Sequence, residues 1–183
     1  NRIEELGMKF GLWIEPEMVN KDSDLYRKHP DWMLQTPGRR VSHGRYQYVL
    51  DFSRKEIVDY IYGMIAKLLS ESNISYIKWD MNRSITECYS IAYPADQQGE
   101  IFHRYILGVY DLYERLTSAF PEVLFESCAS GGGRFDPGML YYAPQCWTSD
   151  DTDAIERLKI QYGTSLVYPL SSMGSHVSNI PNH

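Results

Sequence analysis

No run of this sequence approaches the roughly 18 apolar residues that a membrane span needs, and no segment has the layout of a signal peptide. Cysteine is scarce. Cys88, Cys128 and Cys146 cannot all pair, and no CxxC or Cys/His cluster has zinc spacing. Each reads first as a small buried hydrophobe in a reducing compartment, the cytoplasm. Positive charge is also short: 18 Lys and Arg face 24 Asp and Glu, for a net charge of -6. Nothing supplies the basic field that a phosphate backbone attracts, so nucleic acid is excluded as a partner along with a membrane. Repeats, low-complexity linkers and a phosphate-cradling G-x-G-x-x-G are all missing. The chain opens on Asn1, not Met, in what reads as a helix already under way, so a piece of a longer protein is expected.

What is present is an ordinary globular composition, 43% hydrophobic and 23% charged over 183 residues, enough for one domain with a sizeable core. Aromatics are in surplus, with 15 Tyr and 4 Trp. That fits stacking on flat apolar faces such as sugar rings, and fits a tightly packed core equally well.

Strand-like and helix-like segments alternate. Arg2–Leu6 reads as a helix tail closed by Gly7, and Lys9–Ile14 as a strand stopped by Pro16. A long excursion carrying Pro30, Pro37, Gly38 and Gly44 follows, then an extended stretch at Gln47–Phe52. Ser53 with Glu56 has the spacing of a capping box. Ile57, Tyr60, Ile61, Met64, Ile65, Leu68 and Leu69 then recur at helical spacing. Further strands are expected at 74–81, 123–129, 145–149 and 167–172, and further helices at 99–120 and 153–166. Repeated strand–helix units imply a parallel sheet with right-handed crossovers. Too few units are present to close a barrel of about 250 residues. The expectation is therefore an α/β fold: part of a (β/α)8 TIM barrel.

In such a barrel the chemistry lies at the C-terminal ends of the strands. Those ends carry Trp13 and Glu15; Lys78, Asp80, Asn82 and Arg83; Glu126, Ser127 and Cys128; and Ser149, Asp150 and Asp151. Lys78, Asp80 and Asn82 share one strand face, with Trp79 and Met81 on the other. A cation beside Asp80 would keep it ionised, as a nucleophile requires, although a lone K-x-D is more often a structural ion pair. In SDDTD, at least one acidic residue is expected to cap the next helix, Thr152 or Asp153 sitting best for it. Repulsion between Asp150 and Asp151 would favour a protonated member, as a general acid requires. One ionised and one protonated carboxylate are the equipment of a glycosidase.

GLWIEPEM (11–18), KWDMNR (78–83), ESCASGGGRFD (126–136), SDDTDAIERL (149–158) and SMGSHVS (172–178), in this order, resemble glycoside hydrolase family 36, the bacterial-type α-galactosidases. The resemblance covers essentially the whole chain. It implies a retaining exo-α-galactosidase acting on melibiose, raffinose and related α-1,6-galactosides. It also implies a fragment, roughly strands three to seven of the catalytic barrel, without the flanking N- and C-terminal β domains or an upstream acidic pair. Carried over residue by residue, Asp80 matches the nucleophile and Asp150 the acid/base, with Asp151 its neighbour. Lys78, Trp13 and Arg45 match substrate-contacting residues. Asn82 shares the face of Asp80, and Cys128 and Gly131 match the wall of the galactose subsite. No metal or other cofactor is implied. His43, His176 and His183 lack ligand spacing and read as loop or pocket residues. The family's members are commonly homotetramers. Raffinose-synthase-type transfer, N-acetylgalactosamine specificity and an inactive sugar-binding fragment stay open at this point.

Overall fold

The computed structural model describes residues 2–178. Along the chain run α1 (Arg2–Glu5), β1 (Phe10–Ile14), β2 (Met18–Asn20), α2 (Asp24–Lys28), β3 (Gln47–Val49) and α3 (Lys55–Glu71). They are followed by β4 (Ile74–Asp80), α4 (Ile101–Ala119), β5 (Leu124–Cys128), α5 (Pro137–Tyr142), β6 (Gln145–Trp147), α6 (Ala154–Ser165) and β7 (Met173–Gly174). By its internal contacts the chain divides into two units. Among the described residues the first holds 2–14, 74–82 and 122–178, and the second holds 15–73 and 83–121.

The first unit is built on a parallel sheet in the order β1-β4-β5-β6-β7. Among the described residues the strands have helical connections and no antiparallel neighbour in this sheet, a mixed α/β architecture consistent with part of an α/β barrel. The alternation expected of β4 is visible in its burial: Ile77 and Trp79 are fully buried on one face, while Lys78 on the other is half-buried. Tandem residues of neighbouring strands lie side by side, Trp13 with Lys78, Lys78 with Glu126, and Asp80 with Cys128. Parallel pairing keeps such partners on one face, so the register sets which side chains meet.

The second unit contains the antiparallel pair β2–β3 and the packed helices α3 and α4. Buried Ile57, Ile61, Ile65 and Leu69 on α3, and Ile101, Tyr105, Val109, Leu112 and Leu116 on α4, recur at three- and four-residue spacing. Gly108 is required by close approach: a Cβ there would lie 1.9 Å from the Phe52 carbonyl oxygen. Glu17 is fully buried and accepts a hydrogen bond of 2.6 Å from the Tyr105 hydroxyl. Asp51, equally buried, accepts from the Ser53 and Ser90 hydroxyls, and burial is the main cause that pushes its carboxyl upward.

Three local expectations are corrected. Ser53 does not cap α3, because its hydroxyl and N–H turn back to Asp51. Arg54 occupies the N-cap position, and Glu56 pairs with the Arg54 Nε at 2.8 Å instead of closing a capping box. No strand forms over 167–172: a 3₁₀ turn occupies Leu170–Ser172, and β7 begins one residue later. Pro169, which has no N–H to give a ladder, stands at the head of that turn. The excursion after Pro16 also holds β2 and α2, which are too short to show periodicity.

Tyr105→Phe would leave buried Glu17 without one hydrogen-bond donor. Urea unfolding of the intact protein should show a loss of about 1–3 kcal/mol.

Candidate active site

The first unit gathers the C-terminal strand ends. Trp13, the penultimate residue of β1, is 47% exposed, whereas Asp80, closing β4, is 5% exposed. The Trp13 indole N–H donates to Asp80 Oδ2 at 3.0 Å, and the Asn82 amide donates to the same oxygen at 2.6 Å. Asp80 Oδ1 is buried and takes no hydrogen bond. The Ser130 hydroxyl donates to Asn82 Oδ1 at 3.1 Å, which turns the Asn82 NH₂ toward Asp80. Ser130 reaches it from a left-handed backbone, φ 49°, at the head of the glycine run that follows β5.

Lys78 was expected to steady Asp80. The structure pairs its ammonium with Glu126 Oε1 at 3.5 Å and seats it over the Trp147 ring, 4.0 Å from the centroid. Glu126 is itself buried, and its Oε2 accepts the Tyr76 hydroxyl at 2.6 Å. Burial first, and then Glu126, push the Tyr76 phenol well above its ordinary range, so it remains a neutral donor. Cys128 is buried on the register partner of Asp80. Burial drives its thiol up to about 12; a backbone hydrogen bond to Gly131 opposes this and the Asp80 charge adds to it. Burial likewise lifts Cys146 to about 12 and Cys88 to about 11. All three cysteines are free, and burial disfavours the thiolate form of each.

Asp150 and Asp151 follow β6 and are both exposed, but they are engaged differently. Asp150 Oδ1 accepts the Trp147 indole N–H at 2.9 Å. Asp151 Oδ1 accepts the Asp153 N–H at 3.0 Å, so its carboxylate shapes its own loop. Asp153 is the N-cap of α6, accepting from the N–H groups of Ile155 and Glu156, one of the two capping candidates. Arg157 of α6 is buried; it donates to the Thr148 hydroxyl at 2.6 Å and to the Ser149 carbonyl. The loop bearing Asp150 is therefore anchored from behind. Gly131, at φ 82°, packs against it so closely that a Cβ would lie 2.7 Å from Ser149 Cα and 3.0 Å from Asp150 N. The SMGSHVS segment closes on the same loop: Ser178 N–H donates to the Thr152 carbonyl at 2.9 Å.

Arg45 belongs to the second unit. It has φ 52° and pairs with Glu15 Oε1 at 2.9 Å, while Gln47 donates to Glu15 Oε2 at 2.9 Å. His43 stacks with Tyr46, and the His176 ring lies 6.0 Å from Trp147; His183 is outside the described residues. Among the described residues no cluster of three or more His, Cys, Asp or Glu could hold a metal ion. No described helix is long and apolar enough to cross a membrane.

The chain matches the Melibiase family profile over residues 1–183. It belongs to the melibiase family. The α-galactosidase AgaA of Geobacillus stearothermophilus is 61% identical over all of this chain and 25% of its own length. The α-galactosidase Mel36A of Lactobacillus acidophilus is 58% identical over 98% of this chain and 25% of its own. The chain thus spans about a quarter of the length of these melibiase relatives. Its structure superimposes on crystalline AgaA with a TM-score of 0.96, covering 100% of this chain and 25% of that one. Substituted forms of AgaA, 60% identical to this chain over 100% of it and 25% of their own and each with TM-score 0.96, have been crystallised with raffinose and with stachyose.

Glu126, Tyr76, Ser130, Trp147 and Arg157 carry no role in the sequence reading. Tyr76 and Glu126 had a usable signal, since each shares a strand face with an assigned neighbour, Lys78 or Cys128. Ser130, Trp147 and Arg157 had none, because their partners come from other elements.

Gly131→Ala would drive a Cβ into the Ser149–Asp150 backbone from a left-handed conformation. Denaturant unfolding should report a loss of about 1–3 kcal/mol, and more if the loop cannot shift.

Proposed function

We propose that this melibiase-family chain is the central part of the catalytic (β/α)8 barrel of a retaining exo-α-galactosidase. Its substrates would be melibiose- and raffinose-type oligosaccharides with terminal α-1,6-linked galactose. The carrying observation is the state of Asp80. One carboxylate oxygen takes two N–H donors, and the other is buried without a partner at the C-terminal end of a parallel strand. No ion pair of Asp80 is found among the described residues, and its second oxygen is left open to act as a nucleophile.

In this reading Asp80 Oδ1 attacks galactose C1 from the β face as Asp150 gives its proton to the glycosidic oxygen. The C1–O bond breaks and the leaving sugar departs with that proton. Water then yields a proton to Asp150 while its oxygen attacks C1 from the α face, breaking the galactosyl–Asp80 ester. α-Galactose leaves with retained configuration, and both carboxyl groups return to their starting states. Retention calls for carboxyl groups about 5–5.5 Å apart. Trp13, Lys78 and Asn82 would hold the sugar, and Trp13 and Asn82 would orient Asp80. Cys128 and Gly131 would wall the subsite, and Arg45 and Asp151 match further substrate-contacting positions.

The AgaA complexes support this reading. The two aspartates replaced to obtain the raffinose and stachyose complexes stand the same interval apart as Asp80 and Asp150. The relatives' greater length leaves room for the remaining barrel strands and for flanking β domains. We further propose a cytoplasmic setting, which the free thiols fit, and a homotetrameric intact enzyme.

Azide rescue tests both roles in the intact enzyme. Asp80→Ala, supplied with an activated aryl α-galactoside and azide, should yield β-galactosyl azide. Asp150→Ala should instead yield the α-anomer, since azide then attacks the galactosyl–Asp80 ester. The opposite anomers, read by NMR, would reverse the assignment, and wild-type turnover by Asp80→Ala would end it.

A further inference from the structure

Trp147 ends β6, and its indole touches both halves of the site. The N–H donates to Asp150 Oδ1 at 2.9 Å. The ring face receives the Lys78 ammonium, 4.0 Å from its centroid. Room for the ring comes from Gly174, its register partner on β7, where a Cβ would lie 2.7 Å from Trp147 Cε3. One rigid bicyclic side chain therefore joins a cation on β4 to an exposed carboxylate beyond β6.

That carboxylate is otherwise surrounded by charges that do not fix its direction. Asp151 adjoins it in the chain, and Arg157 of α6 attracts both aspartates. Lys78 lies on the far side of the indole, and His176 flanks the indole from beyond β7. An exposed aspartate would ordinarily sample several rotamers, whereas a general acid must keep its proton within hydrogen-bond reach of the leaving oxygen. By engaging Oδ1, the indole N–H leaves Oδ2 to carry the proton.

We infer that Trp147 is a positioning residue for proton transfer: its N–H aims Asp150 while its face seats Lys78. The inference rests on the galactosidase reading. A mere wall of the pocket would be served equally well by a ring without an N–H, and this separates the two roles.

The test uses the intact enzyme with benzothienylalanine at position 147, which replaces the N–H by sulfur and keeps the bicyclic face, beside Trp147→Phe. Melibiose has a poor leaving group that needs the proton; 2,4-dinitrophenyl α-galactoside does not. With the N–H gone, kcat/KM on melibiose should fall about 100-fold, while that on the dinitrophenyl substrate stays within about fivefold. Unchanged melibiose hydrolysis, or equal losses on both substrates, overturns the inference. If Trp147→Phe fails to fold, the benzothienylalanine enzyme decides alone. Asp150→Ala is measured alongside. Selective loss there, but none at Trp147, removes only the inference. An Asp150→Ala enzyme that treats both substrates alike removes the acid/base assignment and the inference with it.

Discussion

Asp80 is a carboxylate kept in the interior with one oxygen saturated and the other bare. Taking a charge out of water costs several kcal/mol unless hydrogen bonds replace the lost hydration. Here the replacement comes from two N–H groups, one on β1 and one just past β4, both directed at Oδ2. Neither donor can reach it unless β1 and β4 are laddered in their observed register, with Trp13 beside Lys78. Slipping that register by one residue would turn Asp80 away from the Trp13 face.

The same register distributes the positive charge. Glu126 lies beside Lys78 on the next strand and draws its ammonium, while Trp147 offers it a ring face. Lys78 therefore does not occupy the free oxygen of Asp80. Tyr76 completes the coordination of Glu126, so that this second buried carboxylate is satisfied within the strand layer. Around both carboxylates the thiols stay protonated, because burial and neighbouring negative charge disfavour thiolate.

Beyond the strands, close backbone packing takes over. Gly131 lets the turn after β5 lie against Ser149 and Asp150, and Arg157 ties the same loop to α6 through Thr148 and Ser149. Ser130, held at positive φ by this turn, directs the Asn82 amide. A single glycine-rich turn thus connects the surroundings of Asp80 with those of Asp150.

By itself the sequence determined the elements and their inward-facing residues. The amphipathic spacing of α3 and α4, the parallel α/β class, the shared face of Lys78 and Asp80 and the capping role open to Asp153 all follow from local periodicity and local hydrogen bonding. Short elements such as β2 and α2, and the strand displaced from 167–172 to Met173–Gly174, escaped because they are too brief for a period to show. Tertiary structure alone decided the partners. That Trp13 serves Asp80, that Lys78 answers to Glu126 and that Trp147 holds Asp150 depends on strand order and register. Those are properties of chain segments many residues apart, and no local pattern encodes them.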